Sequence, residues 1–333
     1  MVYPKPWSVQ IELTEGCNRR CTFCGIHSLY REKGDVHYKH MSVEKAKMIA
    51  KDLNQWLGKC RIEFAMQGEP LLNPHVYKII KAFRDYFPKA QLMITTNCDP
   101  ITTKDGFDQE KVKRIFQCGL NMFVADYYQP NRYSYEEFFS KWNENKLGIP
   151  CFDYFKDKPT VWGYESPSMQ KIVVIDNTET RDFNREMNNQ AGNLDPQFVD
   201  VKGYHVGDLP VKKRCHLPFR EMAIKHDGAL ALCCMDWQRE SIIGKFPELS
   251  YKEIWESDPM NKARGLLWNK ERGMLSPCNR CNYHPNKVGL ITNPYDEEDM
   301  PDMKELARGF RQHQNKMKEE ENKYARKPFI YKK

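Results

Sequence analysis

Three cysteines near the start of the chain are close enough to share one metal centre. Cys17, Cys21 and Cys24 follow a C-x3-C-x2-C spacing. A loop this short can wrap one side of an iron–sulfur cluster, because cysteine thiolates hold such clusters. Three ligands leave one iron without a protein ligand, and an open metal position can bind a cofactor or substrate directly. The alternative is a structural zinc site, which would need a fourth ligand such as His27.

A second group of cysteines lies in the last third of the chain. Four thiolates from this group could close either a zinc site or a [4Fe–4S] cluster, and their spacing alone does not separate the two. Clustered cysteines indicate metal rather than disulfides in a reducing compartment. The predicted ligands are Cys215, Cys233, Cys278 and Cys281, with Cys234 as the alternative to Cys233. The remaining cysteines, predicted to be small buried hydrophobic residues, are Cys60, Cys98, Cys118 and Cys151.

Strand-like and helix-like segments alternate between residues 7 and 193. Repeated alternation favours parallel strands joined by helices. We therefore predict an α/β fold, a partial (β/α)6 TIM-like barrel, in which chemistry occurs after the carboxyl ends of the strands. The first cysteine group follows the first strand. The predicted strands are 8–13, 61–66, 91–96, 120–125 and 171–175, and the helices 42–57, 76–86, 108–118 and 135–145, whereas 151–167 has no clear assignment.

The character of the chain changes after residue 193. A linker is predicted at 203–210, a β-hairpin at 222–233 around Asp227-Gly228, and one helix from 251 to about 272. The predicted domains are a barrel core at 1–200, a small cluster-binding domain (β-hairpin plus helix) at 201–285, and a polar extension at 286–333. The mixed charge of the extension predicts a partly ordered helix or a disordered arm.

Three motifs together resemble the radical SAM (S-adenosylmethionine) superfamily. Phe23 stands before the last cysteine of the first group, as in that family's C-x3-C-x-aromatic-C signature. Gly68-Glu69-Pro70 resembles its glycine–glutamate–proline motif, although Gln67 replaces the usual first glycine. Thr95-Thr96-Asn97 resembles the polar end of its third strand. The resemblance covers about residues 7–193.

The resemblance implies a chemistry for these residues. Cys17, Cys21 and Cys24 would hold a [4Fe–4S] cluster whose free iron binds the amino and carboxylate groups of SAM, and the Gly68-Glu69-Pro70 motif would meet the amino group. Cleavage of SAM then gives methionine and a 5′-deoxyadenosyl radical, which takes a hydrogen atom from the substrate. A flavodoxin- or ferredoxin-like reductant is the expected electron donor.

The later cysteines resemble a C-terminal SPASM/twitch module. The order of Cys215, Asp227-Gly228, Cys233, Ile254-Trp255 and the C-x2-C pair 278–281 matches that module. The sequence has no cysteine after Cys281, so we expect one auxiliary [4Fe–4S] cluster. Four protein ligands would close this cluster, and we therefore predict that it conducts electrons rather than binding substrate.

Candidate catalytic side chains follow the later strands. Asp126, Tyr127 and Tyr128 come after the strand 120–125 and are predicted to face the substrate, where a carboxylate or phenol can take a proton. Ordinary turn residues are the alternative. Asn189 and Gln190, after the last barrel strand, are predicted to contact the SAM ribose or the substrate.

Composition bears weakly on the substrate. The 333 residues carry 52 Lys and Arg against 45 Asp and Glu, a net charge of +7. This excess fits a nucleotide or DNA base as substrate. The resemblance to radical SAM enzymes then implies an isomerase-like reaction, as in phage thymidine hypermodification. One alternative is a dehydrogenase that acts on a small molecule such as an aminocyclitol. The other is a maturase of peptide or protein side chains, although the N-terminal recognition domain that many such enzymes carry is not expected before Ser8. A further alternative is a non-enzymatic electron-transfer protein. The predicted open iron position argues against it, because such a position serves to bind a cofactor or substrate.

The sequence also bears on location. It has no run of about 20 apolar residues and no secretory signal, so we predict a cytoplasmic protein without a membrane partner.

Overall fold

The computed structural model of the chain describes residues 5–34, 37–128, 131–161, 169–177, 188–194 and 207–283. Its strands are β1 (Ser8–Ile11), β2 (Thr14–Glu15), β3 (Lys39–His40), β4 (Arg61–Phe64), β5 (Gln91–Thr96), β6 (Thr102–Thr103), β7 (Gly106–Phe107), β8 (Met122–Tyr127), β9 (Cys151–Asp153), β10 (Lys171–Asp176), β11 (Glu221–Ile224), β12 (Ala229–Ala231) and β13 (Ile242–Lys245). Its α-helices are α1 (Ile26–Lys33), α2 (Val43–Asn54), α3 (Val76–Tyr86), α4 (Gln109–Gln117), α5 (Tyr135–Asn143), α6 (Tyr154–Asp157), α7 (Leu217–Arg220), α8 (Tyr251–Glu256) and α9 (Asp258–Trp268).

One sheet organises these elements. Its strand order is β13-β12-β11-β1-β4-β5-β8-β10-β9. The six strands from β1 to β9 in this order pair in parallel, as predicted for a partial TIM-like barrel. Parallel strands bring their carboxyl ends to one edge, so the loops after β1, β4, β5 and β8 meet there.

Amphipathic helices pack on the outer face of the sheet. In α2, Ala46, Ile49, Ala50 and Leu53 are fully buried and recur at helical spacing. The helix begins where the Ser42 side chain accepts a hydrogen bond from the Lys45 N–H at 3.1 Å, which satisfies one of the free amides of the first turn. The burial of this apolar stripe fixes α2 in the main hydrophobic core, beside α3 and α8.

Several elements differ from the prediction in their bounds or number. The strand expected at 120–125 runs to Tyr127, and a short strand, β9, lies in the stretch that had no assignment. The helix expected at 251–272 is two helices, α8 and α9. The chain is extended at Ser257, whose side chain caps α9 by accepting a hydrogen bond from the Met260 N–H. Pro259 follows in the first turn of α9 and has no N–H with which to continue α8.

The C-terminal hairpin is part of the barrel sheet. Strand β11 pairs in parallel with β1, with Ser8 opposite Glu221, and β12 and β13 follow antiparallel. The predicted second domain therefore shares backbone hydrogen bonds with the predicted first domain. Tyr251 of α8 fastens the hairpin turn, since its buried hydroxyl donates to the Gly228 carbonyl at 3.0 Å.

Two predictions fall partly or wholly outside the described residues. Of the linker at 203–210, the structure describes 207–210, which are exposed, and the extension at 286–333 is not described. No helix in the described part of the chain has the length and apolar character needed to cross a membrane.

We expect Tyr251→Phe to lower the free energy of unfolding by about 1 kcal/mol, because it removes one buried hydrogen bond and keeps the ring. The control is Tyr86→Phe, whose hydroxyl makes no hydrogen bond within the described residues and which should change stability by less than about 0.3 kcal/mol. Urea unfolding of the reconstituted protein under anaerobic conditions measures both. Equal effects of the two substitutions would contradict the role given to the Tyr251 hydroxyl.

Candidate active site

A cavity of about 240 Å³ opens at the carboxyl edge of the sheet. The loops after β1, β4, β5 and β8 form it together with the turn at 190–192 and the loop after β12. Its lining residues are Cys17, Arg19, Cys21, Phe23, Cys24, Ile26, Met66, Gly68, Glu69, Thr95, Thr96, Asn97, Asp126, Tyr128, Gln190 and Trp237. Sequence motifs that are far apart in the chain thus meet at one place.

All three cysteines of the first group line this cavity. Burial raises the pKa of the Cys17 and Cys24 thiols to about 12, so their thiolate forms need a compensating cation. Hydrogen-bond donors already point at one sulfur: the Arg19 N–H lies 3.3 Å and the Asn97 amide 3.4 Å from Cys17 Sγ. The Cys17 sulfur is therefore prepared to carry negative charge, as an iron ligand does.

Gly68 allows the β4 loop to pass against the first cysteine loop. A Cβ on this residue would lie 2.2 Å from the Thr14 carbonyl oxygen and 2.5 Å from that of Gly16. Its φ of +89° is also one that L residues rarely adopt. The Glu69 N–H, in turn, donates to the Gly16 carbonyl at 3.0 Å. A glycine is required here by both space and backbone conformation.

Glu69 is held rigidly beneath the cavity. Its carboxylate accepts from the Thr96 hydroxyl at 2.6 Å, the Asn97 N–H at 2.9 Å and the Leu71 N–H at 2.9 Å. Burial raises the pKa of Glu69 to about 7, and these hydrogen bonds oppose that rise. Thr95, on the same strand end, has a buried hydroxyl without a hydrogen-bond partner among the described residues. The cavity therefore offers an acid and a free polar atom to a ligand.

Asp126 and Tyr128 face the cavity, but Tyr127 does not. Asp126 accepts from the Tyr128 hydroxyl at 3.1 Å and from the Asn177 amide at 3.0 Å. Because side chains alternate along β8, Tyr127 points to the opposite face, where its hydroxyl donates to the Tyr133 carbonyl at 2.8 Å within the helix-packed core. The prediction that Tyr127 faces the substrate is wrong.

Asn189 and Gln190, both predicted to contact SAM or the substrate, lie in different surroundings. Gln190 lines the cavity, whereas Asn189 does not and instead bonds the Arg280 carbonyl at 2.7 Å. Pro70 likewise lies outside the lining and begins a short 3₁₀ turn behind Glu69. Asn189 therefore has no contact with the first cavity, contrary to the prediction.

The second cysteine group surrounds a smaller cavity of its own. Cys215, Cys233, Cys278 and Cys281 all line it, and Cys234 does not. Backbone N–H groups of Met235 and Tyr283 lie 3.4 Å from the sulfurs of Cys233 and Cys281. Burial raises the pKa of the Cys215 thiol to about 12. These four sulfurs fit a closed metal site and favour Cys233 over Cys234 as ligand.

Arg272 supplies positive charge to the second cavity. It is 1% exposed and lines the cavity, and it donates to the carbonyls of Lys213, Arg214 and Tyr283 at 2.8 to 3.0 Å. Within the described residues no carboxylate pairs with it. A buried charge without a counterion is costly, and a centre of four thiolates with net negative charge would neutralise it.

Gln67 connects the loop after β4 to the second cysteine loop. In the sequence it was notable only because it replaces the usual first glycine of its motif. Its amide donates to the Cys234 carbonyl at 2.7 Å and its oxygen accepts from the buried Lys225 ammonium. Lys225 also donates to the Asp236 carbonyl at 3.0 Å. Trp237, four residues after Cys233, enters the first cavity without any sequence signal that could have predicted it.

Comparison with known proteins agrees with this geometry. Residues 11–139 match the radical SAM superfamily, and residues 215–282 match the SPASM family, an iron–sulfur cluster-binding domain. The chain therefore carries a radical SAM domain followed by a SPASM-type domain.

Two relatives resemble the chain over most of its length. The S-adenosyl-L-methionine-dependent 2-deoxy-scyllo-inosamine dehydrogenase of Niallia circulans is 21% identical over 277 residues, which are 82% of this chain and 92% of that protein. The crystal structure of BtrN in complex with AdoMet and 2-DOIA is 18% identical with a TM-score of 0.61, covering 85% of this chain and 95% of BtrN. At this identity the BtrN structure supports the shared fold.

The domains imply the cofactors, and the residues fit them. A radical SAM domain and a SPASM domain imply a SAM-binding [4Fe–4S] cluster, an auxiliary cluster and SAM. The first cavity presents three thiols, the buried acid Glu69 and the unpartnered Thr95 hydroxyl. The second cavity presents four thiols and a buried guanidinium.

We expect Gly68→Ala to abolish cleavage of SAM, because the added methyl group would push the β4 loop away from the first cysteine loop. Gly58→Ala is the control, since a Cβ at Gly58 meets nothing within 4 Å. Both variants should be reconstituted anaerobically and assayed for iron content and 5′-deoxyadenosine formation. Wild-type activity in Gly68→Ala would contradict the close approach.

Proposed function

We propose that the chain oxidises a small polar molecule at a carbon bearing a hydroxyl or amino group, with the loss of two hydrogens. The observation that carries this proposal is the second cavity, in which four cysteines surround one site. A site closed by four thiolates has no open iron for substrate, so its use is electron transfer. Oxidation leaves an electron to remove, whereas isomerisation does not.

The proposed ligands follow from the two cavities. Cys17, Cys21 and Cys24 hold the first cluster, and Cys215, Cys233, Cys278 and Cys281 hold the second. When bound, these groups supply the radical chemistry, namely the 5′-deoxyadenosyl radical that takes a hydrogen atom and an acceptor for the electron that remains on the substrate. Glu69 and Thr95 bind SAM.

Asp126 is the residue we assign to the substrate proton. Its carboxylate lies at the end of β8, lines the cavity and is 8% exposed. Tyr128 and Asn177 hold it in place by the hydrogen bonds described above. As the substrate carbon is oxidised, its hydroxyl or amino group loses a proton, and a fixed carboxylate within the cavity can accept that proton. Phe23, Ile26 and Trp237 make the neighbouring walls apolar.

The residues that line the first cavity support a nucleotide substrate less well than a small polar molecule. Arg19 is the sole cation among the described lining residues, and Asp99 binds its guanidinium through contacts of 2.6 and 2.7 Å. A phosphate would have to compete with that carboxylate. The dehydrogenase activity in the name of the Niallia circulans relative also supports oxidation of a small molecule.

The substrate class can be tested by product mass. The reconstituted enzyme is incubated with SAM, a reductant and, separately, an aminocyclitol, thymidine monophosphate, a short peptide or DNA. We expect 5′-deoxyadenosine to form with the aminocyclitol and the product to have lost two hydrogens. A nucleotide or DNA product of unchanged mass would instead establish an isomerase. Binding to DNA that weakens with salt would support that second outcome.

We expect Asp126→Asn to slow product formation by about 10²-fold while 5′-deoxyadenosine continues to form, because the amide cannot accept the proton. Asp105→Asn is the control, because Asp105 is an exposed residue in the turn between β6 and β7. Quantifying both products by mass spectrometry separates hydrogen abstraction from oxidation. Equal product rates in Asp126→Asn and wild type would remove Asp126 from the mechanism.

SAM binding should strengthen as pH rises through the pKa of Glu69, about 7. The buried acid is neutral below that pH and ionised above it, and the ionised form accepts a hydrogen bond from the amino group of SAM. Between pH 6 and pH 7.5 the ionised fraction of Glu69 rises about eightfold, so the affinity should rise by at least that factor. Glu69→Gln should bind SAM more weakly and lose the part of the pH dependence that Glu69 causes. Equilibrium binding to the reconstituted enzyme measures both, and a wild-type affinity independent of pH would contradict the assignment.

A further inference from the structure

Gln190 contacts the residues on both sides of Cys24. Its side-chain oxygen accepts from the Gly25 N–H at 2.9 Å, and its amide donates to the Phe23 carbonyl at 3.3 Å. One side chain therefore holds the backbone before and after a cysteine of the first site. The same oxygen also accepts from the Trp237 indole N–H at 3.0 Å.

Asn189 makes the corresponding contacts around Cys281. Its amide donates to the Arg280 carbonyl at 2.7 Å, and its oxygen accepts from the Asn282 N–H at 3.1 Å. The Asn282 side chain returns a third bond by accepting from the Asn189 N–H at 2.6 Å. Two neighbouring amides thus frame one cysteine in each of the two sites.

The backbone between the sites has an unusual conformation. Gln190, Ala191 and Gly192 have φ values of +45°, +57° and +78°. L residues seldom adopt this region, and such a conformation persists where surrounding contacts fix it. This backbone conformation directs two adjacent residues to different cavities: Gln190 lines the first cavity and Ala191 lines the second.

Asn189 also holds the residue between a ligand sulfur and its hydrogen-bond donor. The Tyr283 N–H lies 3.4 Å from the Cys281 sulfur, and Asn282, which Asn189 bonds twice, lies between these two residues. An N–H that points at a ligand sulfur stabilises negative charge there and raises the reduction potential of an iron–sulfur cluster. The position of Asn189 depends on its neighbour Gln190, whose side chain is anchored at the first site.

We propose that Asn189 and Gln190 are positioning residues that lock the two cluster-binding sites to each other, so that a change at one site alters the reduction potential at the other. This inference rests on the cluster ligands of the proposed function and is independent of the substrate, because potentials are measured without substrate.

The test is a redox titration of the reconstituted Gln190→Ala variant. Loss of the Gln190 anchor loosens Asn189 and, through Asn282, the Tyr283 N–H that points at the Cys281 sulfur. The second cluster should therefore become harder to reduce by at least threefold, or about 28 mV for one electron. Gln190→Glu keeps the accepting oxygen and should restore most of the wild-type potential of the second cluster. Asn189→Ala should in turn shift the potential of the first cluster, although Asn189 does not line the first cavity.

Asn145→Ala is the matched control. Asn145 also bonds the backbone on both sides of a turn, donating to Trp142 and Ile149 carbonyls at 2.9 and 3.1 Å, and it lines neither cavity. It should leave both potentials unchanged. If Gln190→Ala and Asn189→Ala each shift the cluster of their own site alone, the proposal is overturned.

Iron content separates this proposal from the ligand assignment. The wild-type protein should hold about eight irons per chain on the stoichiometry of two cubane clusters. A value near four would mean that the second ligand set, and with it the proposed function, is wrong. If Gln190→Ala fails to take up iron, the Asn189→Ala and Gln190→Glu potentials still decide the question.

Discussion

The close passage of the β4 loop against the loop after β1 is the constraint on which the site depends. Gly68 lies so near the Thr14 and Gly16 carbonyls that no side chain fits, and the adjacent Glu69 N–H bonds the Gly16 carbonyl. That contact sets where the thiols of Cys17, Cys21 and Cys24 lie relative to Glu69. A wider gap would separate the proposed metal ligands from the acid that we assign to SAM, and pre-positioned groups are what make such sites effective.

The second constraint on the structure is the cost of burying charged groups at its two cavities. The two cavities hold thiols, Glu69 and Arg272, and hydrogen bonds with the backbone stabilise Glu69, Arg272 and the thiols of Cys17, Cys233 and Cys281. Hydrogen bonds alone offset part of the cost of burying a charge. The positive iron of a first cluster would offset the charge of the Cys17, Cys21 and Cys24 thiolates, and the net negative charge of a second cluster would offset that of Arg272.

The two sites belong to one structural unit because the hairpin strand β11 joins β1 edge to edge. Side chains reinforce this union: Gln67 reaches the Cys234 carbonyl, and Trp237 reaches from the second cysteine loop into the first cavity. The sheet fixes the coarse relation between the sites, and these side chains fix the fine one. A dehydrogenation that needs an electron acceptor beside the radical centre would use such a rigid relation.

Much of this could be predicted from local pattern. The C-x3-C-x2-C loop, Gly68-Glu69 and the strand end at Thr95 to Asn97 line one cavity, because parallel strands must bring their carboxyl ends together. The four later cysteines were placed together by their resemblance to a known module. Helix α2 and its Ser42 cap followed from apolar spacing and a single hydroxyl.

Tertiary structure decided what the pattern left open. Which face of β8 meets the cavity depends on the register of the strand with its neighbours, so Asp126 points inward and Tyr127 outward. The union of β11 with β1, the role of Gln67 and the division between Asn189 and Gln190 all join residues more than 80 positions apart. The sequence by itself determined which side chains are available as ligands and which chemistry they suit, since these are properties of residue type and spacing. The distances between the sites were decided by the fold, because they depend on long-range contacts that no local pattern encodes.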